Sequence, residues 1–366
     1  MTGGWTGGRH WPQVLLAALA VALVVALVAV GATAADPLNP YNPDWDGTST
    51  VHDRIGDDPD TERVVATDTG PYTEGATDGT VAVVIAPDDP YEGADRDRVA
   101  SFVADGGTLV VLEDFGEPGA RLLEDVGATA SPDGRVLVDE YSYARGPLMP
   151  VATGVEDHPR TAGVEQVTLN LGTAVDPGEA TVLVRTSGFA YLAADPADPE
   201  GGEEPVALDR HPVATVEPVG DGQVILVGDA SLAINAMQDE PDNAAFVDGL
   251  LAEHERVIID LSHGPDPPPV QAALLWLRAS PATGAALAAL ALGLALVAGR
   301  FGIAGWIDRR LRPRGERDAS ARAGTVMSDT ECLAYLRRRH PDWDERRLER
   351  IIASLNRHRS EPRVDE

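Results

Sequence analysis

Lysine is missing altogether: all 29 basic residues of this 366-residue chain are arginine. Against them stand 59 Asp and Glu, so the formal net charge is −30. So large an excess of acid argues against binding to nucleic acid, which relies on basic patches, and no nucleic-acid partner is expected. Cysteine is nearly absent as well. The single one, Cys332, excludes an internal disulfide and any zinc site built from several thiolates. No GxxxxGK phosphate loop and no HExxH pair occurs, so neither a cofactor nor a metal is expected. The histidines His52, His158, His211, His254 and His263 lack ligand spacing and read as surface or turn residues.

Self-repulsion at this charge opposes a compact state unless salt screens it. At molar salt the screening length falls to roughly 3 Å. The expected reading is a chain adapted to high salt, as in a halophilic archaeon, with an ordinary acidic surface as the alternative.

Long apolar runs are present. Residues 14–34 and 281–299 carry no charge. Each approaches the roughly 20 residues a membrane-crossing helix needs, and two transmembrane helices are expected. The first run also admits a second reading, a cleaved signal ending at Ala32-Thr33-Ala34, and the two remain open. Sixteen arginines lie in residues 300–366, five of them just after the second run (Arg300, Arg309, Arg310, Arg312 and Arg314). Arginine beside a span marks the cytoplasmic side. The expected layout is a cell-membrane protein with both termini cytoplasmic. Residues 1–13 form the inner N-terminus, 35–262 an extracellular domain, 263–280 a linker and interfacial segment, and 300–366 an inner tail.

Within the central domain, apolar β-branched runs alternate with helical patterns. TVAVVIAP (80–87) and TLVVLED (108–114) are nearly continuous in apolar residues, which suggests a sheet buried on both faces. Between them Val99, Phe102 and Val103 share one helical face, and Leu122, Leu123 and Val126 repeat that spacing. Strand, helix, strand implies right-handed crossovers. The expected class is α/β, a doubly wound, mostly parallel sheet with a β-rich insertion over about 130–215. The stretch 212–229 reads as a hairpin turning at Gly220-Asp221-Gly222. Residues 36–60, rich in Pro, Asp and Gly, read as a loop. In the tail, Ser328 and Glu331 fit a capping box, and Leu348, Ile351, Ile352 and Leu355 form one stripe, so a small helical hairpin is expected. That stripe either closes the hairpin or docks on a partner, and the arginines suit anionic lipid. Cys332 reads as a packing residue.

Candidate chemistry is confined to strand ends. VILVGDASLAIN (224–235) runs strand, turn, helix, with Ser231 where a nucleophile elbow would sit. Asp229-Ala230-Ser231 meets the GxSxG pattern only in part, and a helix cap by Asp229 or Ser231 is the competing reading. Open α/β sheets bind ligands at the carboxyl ends of their strands. Glu113, Asp114, Asp229, Ser231, Asp242 and Asn243 are therefore the candidate ligand-binding residues, with no catalytic assignment.

Two segments, VAVVIAPDDPYEGADRDRVASFVADGGTLVVLED and GDGQVILVGDASLAINAMQDEPDNAAFVDGLL, together resemble the membrane proteins called domain-of-unknown-function family 4350. The resemblance implies a glutamine-amidotransferase-like α/β fold with no established activity. By association it also implies protein partners in an envelope assembly, with a MoxR-type ATPase among them. Amidotransferases place a cysteine after a central strand; here that place reads Asp114-Phe115-Gly116. The expected function is a non-enzymatic, membrane-anchored envelope protein whose outer domain binds a ligand or partner and whose tail contacts a cytoplasmic one. The alternatives are an accessory subunit of an export system and a membrane-anchored hydrolase.

Overall fold

The computed structural model describes residues 11–193, 207–279, 289, 293, 329–341 and 343–360. The chain forms two compact units, Met1–Ser280 and Pro281–Glu366.

The first unit is built on an eight-stranded sheet. Its strands are β1 (Glu62–Ala66), β2 (Thr80–Ile85), β3 (Thr108–Leu112), β6 (Gly154–Val155), β9 (Thr181–Arg185), β11 (Pro212–Val219), β12 (Gly222–Val227) and β13 (Arg256–Asp260). Their order across the sheet is β1-β13-β2-β3-β12-β11-β9-β6. From β1 to β12 the neighbours run parallel. The hairpin partner β11 then reverses direction, and β9 and β6 follow it antiparallel. The remaining strands, β4 (Ser131–Asp139), β5 (Val151–Ala152), β7 (Val167–Thr168), β8 (Thr173–Asp176) and β10 (Ala190–Ala193), form a three-stranded sheet β10-β4-β8 and a pair β5-β7.

Alternation of side chains along each strand explains the continuous apolar runs. In β2, Ala82 and Val84 point to a core layer shared with Val99, Phe102 and Val103 of α3 (Gly93–Ala104) and Leu122, Leu123 and Val126 of α4 (Glu117–Val126). Val81 and Val83 point to the other face. There they meet Val51 and Ile55 of α2 (Ser49–Asp57) and Phe246, Val247 and Leu250 of α6 (Asn243–Leu251). Each fully buried Val or Leu contributes roughly 1.5–3 kcal/mol, so both layers are strongly held. The helix α4 is punctuated by Pro118 in its first turn and by Gly127, left-handed at φ 91°, at its end.

The α/β reading with a large sheet is consistent with this architecture, but three expectations need correction. Residues 36–60 are not simply a loop, because α2 lies within them and buries Val51, His52 and Ile55. The linker expected over 263–280 contains α7 (Pro269–Ala279), since proline is tolerated in a helix's first turn. The third concerns the membrane. The first uncharged run lies in α1 (Trp11–Ala32), whose described side chains are unbroken only over 18–28. The second run lies outside the described residues except at Ala289 and Gly293. A crossing needs about 20 apolar residues in one helix. Among the described residues no helix is long and apolar enough to cross a membrane. The two flanking transmembrane helices, and the two-pass cell-membrane placement with cytoplasmic and extracellular sides built on them, therefore do not stand.

The second unit contains α8 (Asp329–Arg339) and α9 (Glu345–Ser360). Arg337 pairs with Glu345 across the turn, His340 stacks on Trp343 at 4.0 Å, and Leu348 is buried. Cys332 is partly exposed on α8. Ser328 and the side chains of Ile352 and Leu355 lie outside the described residues.

Candidate functional site

Strands β3 and β12 are parallel neighbours, yet the chain leaves them in opposite directions. After β3 it enters α4 on one face. After β12 it passes through a 3-10 turn (Ala230–Ala233) and α5 (Asn235–Gln238) to α6 on the other. This divergence makes their carboxyl ends the switch point of the sheet, the usual place for a ligand. Glu113, Asp114 and Asp229 stand there, with Ser231 two residues on.

The place is taken by the chain's own insert. Thr173 donates its N–H to Gly228 O at 2.7 Å, and a Cβ on Gly228 would meet Thr173 O at 2.4 Å. Only glycine lets the two backbones approach so closely. The N–H of Asn170 donates to Asp229 Oδ2 at 2.6 Å, while Ser231 N–H donates to Oδ1 at 2.8 Å. Ser231 Oγ lies 2.6 Å from Asp229 Oδ1 and 2.9 Å from Asn170 O, and accepts from Asn170 Nδ2 at 3.2 Å. Among the described residues no imidazole hydrogen-bonds to Ser231, and the cap of the turn is Asp229, which accepts from the Ser231 N–H.

Asp242 and Asn243 act on the same segment further back. Asp242, with φ 62°, accepts from Glu165 N–H at 3.1 Å. Asn243, fully buried, accepts from Thr168 N–H at 2.8 Å and donates to Thr168 O at 2.9 Å and Met237 O at 3.0 Å. Asp229, Ser231, Asp242 and Asn243 thus hold residues 165–170 against the sheet.

Glu113 turns elsewhere, toward the start of α4. Its Oε1 accepts from Asp114 N–H at 2.9 Å and Gly116 N–H at 2.8 Å, while Oε2 is buried without a hydrogen-bond partner. Burial pushes the Glu113 carboxyl up to about 7, against the pull of the Gly116 N–H and with the Asp114 charge adding to the rise. Burial likewise pushes Asp229 up to about 7, opposed by its bonds to Ser231 and Asn170 and aided again by Asp114. Asp114 itself is partly exposed and accepts from Phe115 N–H at 2.7 Å. Among the described residues no group of three or more His, Cys, Asp or Glu could hold a metal ion.

Sequence reasoning missed Asn170 and Thr173, whose roles arise from contacts distant in the chain. It also read the histidines as surface or turn residues, which His52 of α2 is not. His52 is buried, and burial lowers its pKa; His211 and His254 are half-buried with the same effect. A further feature of the insert escaped it. Tyr141 and Phe189 lie exposed with ring centroids 4.7 Å apart. Buried Asp139 organises both: it accepts from Tyr141 N–H at 2.9 Å and from Ser187 Oγ, which in turn accepts from Phe189 N–H.

These features define a class of α/β domain in which an inserted β-rich segment occupies the sheet's own switch point. The chain belongs to the family described as Domain of unknown function (DUF4350), whose model matches residues 40–251. No curated protein matches it. Among solved structures it is similar to the "mmIFT52 N-terminal domain", at 15% identity and TM-score 0.36, covering 46% of this chain and 73% of that one. It is also similar to a beta-galactosidase from Bacillus circulans sp. alkalophilus, at 19% identity and TM-score 0.26, covering 42% of this chain and 20% of that one. A polyextremophilic beta-galactosidase from the Antarctic haloarchaeon Halorubrum lacusprofundi shows 17% identity and TM-score 0.27, covering 47% and 21%. The matches thus span about a fifth of each galactosidase. Likenesses this weak carry no functional inference.

Proposed function

We propose that the α/β domain is a non-catalytic binding module that meets its partner outside the strand-end crevice. The observation supporting this is the seating of Asn170 and Thr173 in the switch point, where Asp229 and Ser231 are spent on the chain itself. A hydrolase working through Ser231 gains no support from those contacts, since they supply a carboxyl and an amide but no base with access to substrate. A protein is the partner class this reading assigns. Tyr141 and Phe189 offer it a rigid aromatic surface of the kind enriched at interfaces.

The test places a photo-crosslinking amino acid at Tyr141 in cells. A discrete adduct with a second protein is expected, retained in Ser231→Ala and lost in Phe189→Ala. Covalent labelling of Ser231 by a fluorophosphonate probe would contradict the non-catalytic reading.

A further inference from the structure

The opposite ends of the parallel strands carry a different feature. A pocket of about 530 Å³ opens there, lined among others by Gly79, Gly106, Gly222, His158, Arg160 and His254. That volume lies within the range of small-molecule sites. Its position at the amino ends of the strands makes it independent of the closed crevice.

Arg160 is the unusual member. It is 7% exposed, and it is the one arginine among the buried charged residues described. One nitrogen, Nη1, donates to Leu250 O at 3.2 Å and Ala252 O at 2.7 Å at the end of α6. No carboxylate lies within ion-pair distance of it among the described residues, and the charge of Glu253 acts on it only from farther away. Its Nε and Nη2 have no partner among the described residues and are not sealed from solvent. A buried cation is ordinarily paired, and the free edge of a guanidinium matches a carboxylate in shape.

The acidic groups lining the same pocket refine the ligand. Glu217 is occupied by Thr129 and the Ala130 N–H. Asp78, Asp221 and Glu253 are exposed along the pocket. They repel a purely anionic ligand and attract a cationic group on a mixed one. We propose that this pocket binds a small zwitterion of the amino-acid type, its carboxylate on the free edge of Arg160 and its ammonium toward Asp78, Asp221 and Glu253.

Calorimetric titration of the full chain tests this, with the common L-amino acids, acetate and inorganic phosphate as probes. At least one amino acid is expected to bind saturably, with acetate and phosphate roughly tenfold weaker or more. Arg160→Gln should abolish that binding. Because this variant also loses bonds to the end of α6, the exposed pair Asp221→Asn/Glu253→Gln serves as the second probe. It should weaken the amino acid and strengthen acetate. Saturable binding by no amino acid, tighter binding of phosphate, or an affinity unchanged in both variants would overturn the proposal.

Discussion

The backbone N–H of Asn170 reaches Oδ2 of Asp229 at 2.6 Å across 59 residues of sequence. Through that bond the insert is fastened into the point of the sheet where a ligand would otherwise lie. Asp229 is fully buried, so its carboxyl meets the segment without competition from water.

That burial makes stability depend on pH. The Asp229 and Glu113 carboxyls rise from ordinary values of 3.8 and 4.5 to about 7 in the folded chain. Folding therefore takes up protons between those limits. The stability these groups contribute is complete below about pH 4 and drains as pH rises through 7. For Asp229 the displacement corresponds to on the order of 4 kcal/mol. Thermal melts from pH 5 to 8 should show a wild-type Tm that falls with pH more steeply than that of Asp229→Asn/Glu113→Gln. Parallel slopes would refute the assignment.

Asn243 is predicted to be the costliest polar residue to truncate. Asn243→Ala removes three hydrogen bonds and leaves the N–H and C=O of Thr168 buried without partners. A loss of about 2–4 kcal/mol is expected in urea unfolding, against under about 1 kcal/mol for an exposed change such as Glu165→Ala. Equal losses would show that the clasp does not hold the segment.

Glycine to alanine within a helix ordinarily stabilises by about 0.5–1 kcal/mol. At Gly119 the sign should reverse, because a Cβ there would stand 2.1 Å from Glu113 Oε2. Gly119→Ala should destabilise the wild type and recover its usual benefit in Glu113→Ala. A double-mutant cycle with no coupling would contradict the placement of Glu113 beneath α4.

Much of the frame was legible in the sequence because local periodicity carries it. The runs VAVVI and TLVVL became strands buried on both faces, and Gly220 turned the hairpin of β11 and β12. Within the β-rich insertion, the run 164–170 forms a strand only at Val167–Thr168. There the side chains of Asn243 and Asp229 take the bonds that a neighbouring strand would supply. The helix α2 was hidden because only Val51, His52 and Ile55 of its nine residues are buried, amid Asp and Gly. At the site, the residues at the strand ends could be listed from sequence. Their target could not, because the Asn243–Thr168 contact spans 75 residues and leaves no local pattern. Arg160 was equally silent, since its burial comes from elements far along the chain.

Amide hydrogen exchange at Asn170 and Thr173 tests the closed switch point most directly. If the insert is fastened there, both amides should exchange as slowly as those of the central strand β3, such as Val110. Exchange at the rate of an open loop, with β3 still protected, would mean that the crevice is free and that the non-catalytic reading built on its closure is wrong.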